Sequence, residues 1–270
     1  MARGPARPHT HTCTFWGLTM AIQVIAHRGA SAARPENTLA AFEEALRQGC
    51  DAIELDLQLS LDGIPVAYHD KNLVRLGLPD TQVADLTLAE LGNLRWVAGA
   101  GGAEPGKIST LDEVLRAFGS RTRLLLEVKT REHDARGRDR HAELMEKTIR
   151  AVQALALDPT VSILSFDLDL LRLSEHLAPH LPRVLNLREP LPPDKYFREA
   201  VDRVAALSAS VHTLTTGFGD QVQQANRPLL VFTCNNQTQL DLALRSHASG
   251  IMSDEPGWLR RCLQTDGCLS

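Results

Sequence analysis

IQVIAHRGASAARPENTLAAFEEALRQGCDAIELDLQL spans residues 22–59. It opens on the apolar run IQVIA (22–26), turns through His27, Arg28 and Gly29, and continues as the amphipathic LAAFEEALRQG. It closes on the alternating DAIELDLQL (51–59). Asn37 and Thr38 are N-cap residue types and Gly49 is a helix stop, so the spacing predicts a helix over 38–48. Strand, helix and strand in that order make a βα unit, the opening of a parallel sheet.

The rhythm continues to the end of the chain. Strands are predicted at 22–26, 51–59, 122–129, 161–165, 183–187, 203–208, 228–233 and 249–253. Helices are predicted at 38–48, 110–118, 141–157, 168–177, 194–202, 218–226, 237–247 and 256–264. Eight such units in 270 residues predict an α/β protein, a closed (β/α)8 TIM barrel. A doubly wound open sheet fits less well, because no glycine-rich dinucleotide fingerprint follows the first strand. Residues 60–107 hold no single period and contain the turn signal Asp62-Gly63 and GAGGAEPG (99–106). They read as a small insertion after the second strand, at the end of a barrel where active sites are built. Residues 20–270 are expected to form one domain. Residues 1–19, MARGPARPHTHTCTFWGLT, lack the apolar core of a secretory signal and read as an unstructured arm.

Composition narrows the function classes. Net charge is −4, and no Lys/Arg cluster is long enough to track phosphates, so nucleic acid is not an expected partner. No run of ~18 apolar residues predicts a membrane-spanning helix. Cys13, Cys50, Cys234, Cys262 and Cys268 form no CxxC or zinc spacing, which points to reduced thiols and a cytoplasmic setting. No heptad or long apolar patch is present, so a monomer or a modest dimer is expected.

Strand side chains alternate between faces. In DAIELDLQL, Ile53, Leu55, Leu57 and Leu59 share one face, suited to the outer helices. Glu54, Asp56 and Gln58 share the other, which points into the barrel. Two carboxylates ~6.6 Å apart along a strand and facing inward need a partner to stay ionised. A hard divalent cation, Mg²⁺ or Ca²⁺, would serve. Glu127 brings a third carboxylate from the next barrel strand, with Lys129 on the same face. A buried ion pair of Glu127 with Lys129 or Arg28 is the other reading. His27 ends the first strand, and His69 follows PVAY near the start of the insertion. Two His, three carboxylates and Arg28 supply a base, an acid, a metal site and an anion clamp, a set suited to phosphoryl transfer. Glu36 and Asn37 lie near enough to His27 in sequence to line the same pocket.

In order along the chain stand HRGA (27–30), PENT (35–38), ELD (54–56), DGIPVAYHD (62–70), ISTLDEVL (108–115), EVK (127–129), SFD (165–167), VFTCN (231–235) and GIMSDEP (250–256). This ordered set resembles the glycerophosphodiester phosphodiesterase family over residues 22 to about 259. The resemblance implies a (β/α)8 barrel that hydrolyses a small glycerophosphodiester to sn-glycerol 3-phosphate and an alcohol. It implies one divalent cation on Glu54, Asp56 and Glu127, and an acid–base pair of His27 and His69. It implies phosphate or substrate contacts from Arg28, Lys129, Glu36, Asn37 and Phe232. In one version of the mechanism the glycerol hydroxyl attacks phosphorus, and water then opens the cyclic phosphate. The chain departs from the family at Phe232, where Trp is frequent, at Ser109, where Pro is frequent, at Arg75-Leu76-Gly77, where Arg-Thr-Thr is frequent, and at SLDG (60–63). These bear on substrate preference. Two rivals stand beside this reading. One is a lysophospholipase D-like enzyme using Leu73, Val74, Leu76 and Leu78 as an apolar lip. The other is a catalytically silent binding barrel.

Overall fold

Strand β1 (Gln23–His27) is followed by α1 (Leu39–Arg47) and β2 (Ala52–Leu59). Then come β3 (Pro65–Ala67), α2 (Leu88–Asn93), β4 (Ser109–Thr110) and α3 (Leu111–Phe118). The strict alternation resumes with β5 (Arg123–Val128), α4 (Ala135–Ala154), β6 (Val161–Ser165), α5 (Leu168–Leu177), β7 (Arg183–Leu187) and α6 (Lys195–Arg203). It ends with β8 (Ala206–Ser210), α7 (Phe218–Gln224), β9 (Leu229–Phe232), α8 (Gln237–Arg245), β10 (Ala248–Ser253) and α9 (Pro256–Thr265). The structure, a computed structural model, describes residues 21–96, 105–130, 135–188, 195–215 and 217–265. The expected N-terminal arm and most of the glycine-rich stretch at 99–106 lie outside the described residues.

β1 pairs in parallel with both β2 and β10, which closes the ring β1-β2-β5-β6-β7-β8-β9-β10. The predicted (β/α)8 barrel is the observed fold. β3 and β4 stand outside the ring. β1 takes the edge of β2 only from Ala52 to Glu54; beyond that, Leu57–Leu59 pairs antiparallel with β3. The second barrel strand thus overshoots the ring, and its free upper edge carries the insertion.

Alternation sorts the core. Ile25, Ala52, Leu125, Val184 and Met252 fill the barrel interior. Ile53, Leu55 and Leu57 face outward onto Phe42, Val114 and Leu115 of the surrounding helices. Leu73, Val83, Leu91 and Trp96 form a separate core beneath the insertion, with Leu76 and Leu78 packed on it. This corrects the expected apolar lip, because only Val74 of those four leucine and valine residues is exposed. A strand was predicted at 203–208 but runs over Ala206–Ser210, since α6 continues to Arg203. The Arg203 carbonyl, free at the helix end, accepts from Arg183 Nε at 3.1 Å. At the opposite end of the barrel, Thr38 is the N-cap of α1 and accepts from the Ala41 N–H. Gly29 has φ +82°, and a Cβ there would lie 2.7 Å from the Ala41 backbone, so only glycine lets the first loop press onto α1.

Candidate active site

Parallel register gathers the polar ends of β1, β2 and β5 into one layer. His27 is the partner of Glu54, and Asp56 is the partner of Glu127. All four point into the barrel mouth, above the apolar interior. Glu54, Asp56 and Glu127 are buried, and each offers an oxygen within 4.8 Å of the others.

Two cations face the three carboxylates. Lys129 Nζ lies 2.7 Å from Asp56 Oδ1 and forms a short contact with Glu127. Arg28 Nε lies 3.2 Å from Asp56 Oδ2, and Arg28 Nη1 donates to Glu36 at 3.1 Å. The Glu127–Lys129 pair left open by the sequence is therefore present. Arg28 and Lys129, expected as phosphate contacts, are held by carboxylates here. Burial and neighbouring charge divide the triad. Burial pushes the Asp56 carboxyl up, but Lys129 and Arg28 outweigh it and hold the group well below the usual carboxylate range. Burial raises Glu54 far above it, with Asp56 and Glu127 adding to the rise. Glu54 Oε1 is buried and has no hydrogen-bond partner among the described residues. An orphaned carboxylate oxygen beside two more carboxylates, all hard oxygen donors, fits a divalent cation.

The supports lie around this layer. Asn37 Nδ2 donates to Asp56 Oδ2 at 2.8 Å, and the Asp56 N–H donates to Asn37 Oδ1 at 3.1 Å. Asn186 Nδ2 donates to Glu127 Oε2 at 3.1 Å. The Arg28 N–H donates to Glu54 Oε2 at 3.1 Å. Arg28 and Asn37 both sit at φ +56°, a left-handed conformation that costs non-glycine residues of order 1–3 kcal/mol. The Asn37 N–H donates to the Arg28 carbonyl at 3.0 Å, so the two strained residues brace one another.

Each histidine has an aspartate behind it. His27 Nδ1 lies 2.7 Å from Asp254 Oδ1, and Asp254 also accepts from Ser31 and Asn235. Burial raises the Asp254 carboxyl, but the His27 bond and charge outweigh it and hold the group low. An ionised carboxylate only accepts, so His27 Nδ1 carries a proton toward Asp254, and Nε2 is the nitrogen left to exchange a proton with substrate. His69 reaches the site because β3 turns back along β2 and the Tyr68 N–H donates to the Asp56 carbonyl at 3.0 Å. Gln58 Nε2 donates to the Tyr68 and Asp70 carbonyls, both at 2.8 Å, and fixes that loop. His69 Nδ1 lies 2.6 Å from Asp70 Oδ1. Burial holds the His69 ring down to about 4, against the pull of Asp56, so it is neutral at physiological pH.

Arg75 ties the two loops together. It donates to both oxygens of Glu36, at 2.9 and 2.6 Å, and pairs with Asp70 through a short contact. It thereby holds the aspartate that holds His69. Arg75→Ala is expected to lower kcat roughly tenfold with a smaller change in KM, and Arg75→Lys to restore little, because an ammonium cannot reproduce the fork. Steady-state kinetics alongside thermal denaturation checks this; an unchanged kcat would contradict it.

Of the residues expected from the sequence, Glu54, Asp56, Glu127, His27, His69, Arg28, Lys129, Asn37 and Glu36 surround one mouth. Phe232 ends β9 on the same rim, half-buried against the barrel interior. Asp254, Asn186, Asp70 and Arg75 were not anticipated as supports. A sequence signal exists for Asn186, a lone polar residue in the apolar RVLNL, and for Asp254, which follows a strand directly.

Cation binding is expected to release a proton. Glu54 in the metal-free protein holds its proton above the ordinary carboxylate range, while a ligand must be ionised. Affinity therefore weakens as pH falls through the raised Glu54 value. Metal-free stability runs the other way: the folded state binds the extra proton, so stability is fullest below the unfolded value of 4.5 and falls as pH rises through the folded one. Titration calorimetry in two buffers of different ionisation enthalpy measures the proton; equal heats in both would contradict the expectation.

The Glycerophosphoryl diester phosphodiesterase family model matches residues 27–258. A glycerophosphodiester phosphodiesterase of Caldanaerobacter subterraneus is 38% identical over 160 residues, which cover 58% of this chain and 63% of that protein. A solved structure from Silicibacter pomeroyi has a TM-score of 0.80 at 25% identity and covers 93% of this chain and 95% of its own. An Oleispira antarctica phosphodiesterase, solved with its product sn-glycerol-3-phosphate, has a TM-score of 0.74 at 27% identity and covers 90% of this chain and 97% of its own.

Proposed function

Because the chain belongs to the glycerophosphoryl diester phosphodiesterase family, we propose that it hydrolyses small glycerophosphodiesters to sn-glycerol 3-phosphate and an alcohol at this barrel mouth. The observation that carries the reading is the buried triad of Glu54, Asp56 and Glu127 with an orphaned oxygen on Glu54, flanked by His27 and His69. The triad would hold one Mg²⁺ or Ca²⁺, which when bound supplies positive charge to the phosphate oxygens.

The chain's own residues divide the remaining work. His69 is neutral and faces Asp56, so it takes the proton from the substrate's glycerol hydroxyl as that oxygen attacks phosphorus, and returns it to that oxygen when water, deprotonated by His27, opens the cyclic phosphate. His27, its ring fixed by Asp254 and placed beside Glu54, gives a proton to the departing alcohol oxygen. The Asp254 carboxylate stabilises the charge that ring carries before it does so. With the triad occupied, Lys129 and Arg28 would turn part of their charge to the phosphate oxygens. Asn37 holds Asp56 in place, Glu36 orients Arg28, and Phe232 walls one side.

The lysolipid alternative has less support, because Leu73, Leu76 and Leu78 pack into the insertion's own core. Cys50, Cys234 and Cys262 are free, in keeping with a cytoplasmic setting. Incubation with glycerophosphoethanolamine and Mg²⁺, Ca²⁺ or EDTA tests the reading. Glycerol 3-phosphate should appear with metal and vanish with EDTA. Release of lysolipid headgroups alone would move the assignment to the lysolipid enzyme, and no release from either substrate would leave a binding barrel.

A further inference from the structure

The half of the rim across the barrel from the insertion carries a side-chain stack of which the chemistry above uses only Phe232. Phe232 lies edge to face with Phe166, the residue after β6, with ring centroids 6.3 Å apart. Arg188, the residue after β7, holds its guanidinium carbon 4.7 Å from the Phe166 centroid. Asn186, two residues earlier, is buried and touches Glu127, whereas Arg188 is exposed. Strand alternation places both on the barrel-facing side, with Arg188 ~6–7 Å nearer solvent. Arg28, Arg75 and Lys129 at the same mouth are each held by a carboxylate. Among the described residues the only partner of the Arg188 guanidinium is a ring face.

The stack begins where the alcohol departs. Phe232 packs on the interior cluster that holds Ile25, two residues before His27 on β1, and the adjacent Thr233 lies 3.5 Å from the Nδ1 edge of the His27 ring, the edge tied to Asp254. Nε2 is the nitrogen left to face the mouth that Phe232, Phe166 and Arg188 rim, so an alcohol protonated there leaves across that rim toward Arg188. We propose that Arg188, stacked on Phe166, selects glycerophosphodiesters whose alcohol part carries an anionic group, a carboxylate or a second phosphodiester. This rests on the hydrolase reading and on His27 as the proton donor.

Three physical features support it. A guanidinium offers paired donors to a carboxylate or phosphate. Stacking holds it in place before substrate arrives, so little side-chain freedom is lost on binding. It also covers the ring face that a quaternary ammonium would otherwise take, and repels one by like charge. The same stack therefore works against choline diesters.

Matched substrates isolate the effect. Glycerophosphoserine and glycerophosphoethanolamine differ by one carboxylate. Deacylated cardiolipin and glycerophosphoglycerol differ by one phosphodiester. We expect kcat/KM to favour the anionic member of at least one pair by about tenfold, and the ratio to shrink as salt rises. The pair that shows the preference identifies which anion is read. The ratio should collapse in Arg188→Ala and invert in Arg188→Glu, which should also gain glycerophosphocholine turnover relative to wild type. Ratios unchanged across the three proteins would overturn the assignment and leave the hydrolase reading standing. Failure of wild type to turn over any of these diesters with either metal would overturn the reading and the assignment with it.

Discussion

His27→Ala should lower kcat on glycerophosphoethanolamine by about 10³-fold, yet lower it only about tenfold on a glycerol phosphodiester with a p-nitrophenol leaving group. General acid catalysis is worth roughly 10²–10⁴ when the leaving oxygen is a poor one. An ethanolamine alkoxide must be protonated as it leaves, and His27, backed by Asp254, is the group placed to do it. A nitrophenolate needs no proton, so most of that contribution disappears with such a substrate. His69→Ala should behave differently: the base acts on the attacking hydroxyl, so the loss should be similar for both leaving groups. Rates for the two variants on the two diesters decide the matter. A His27→Ala loss that ignores the leaving group, or a His69→Ala loss that follows it, would reverse the assigned roles.

Glu54→Gln and Asp56→Asn should both abolish metal-dependent turnover but move the stability of the metal-free protein in opposite directions. Glu54 is buried, raised in pKa by burial and by two neighbouring carboxylates, and has one unpartnered oxygen. An amide removes the proton demand, and its oxygen still accepts from the Arg28 N–H. Glu54→Gln should therefore raise the melting temperature near neutral pH. Asp56 is the opposite case. It pairs with Lys129 and Arg28 and exchanges two hydrogen bonds with Asn37. Removing its charge leaves Lys129 buried with less compensation, and breaking one side of a buried ion pair costs about 3–5 kcal/mol. Asp56→Asn should lower the melting temperature by several degrees or more. Added Mg²⁺ or Ca²⁺ should stabilise wild type and neither variant. A fall in both melting temperatures would contradict the division of labour within the triad.

The parts of this arrangement legible in the sequence are those governed by local period. The alternation in AIELDLQL by itself separates Ile53, Leu55 and Leu57 from Glu54 and Asp56, and parallel pairing then sets His27 beside Glu54. The supports are harder to see because they depend on ring closure. Asp254 lies 227 residues from His27, and only the β1–β10 pairing brings them together. Arg75 lies 39 residues from Glu36, across an insertion whose path no periodicity reveals. One part of that insertion does carry a local signal: Thr87 and Glu90 form a capping box at the start of α2, a pattern visible as T-x-x-E. The sequence left Arg28 and Lys129 between two readings, phosphate contacts or partners of buried carboxylates, and the second is the arrangement seen, since buried carboxylates draw nearby cations.

Metal-dependent hydrolysis at the triad is tested by glycerol 3-phosphate release from metal-stripped protein as a divalent cation is titrated back, with bound metal counted in the same samples. Release should be negligible without metal, grow in proportion to occupancy and saturate at one cation per chain. Turnover that persists without bound metal, or a fully occupied triad that releases no product, would contradict it.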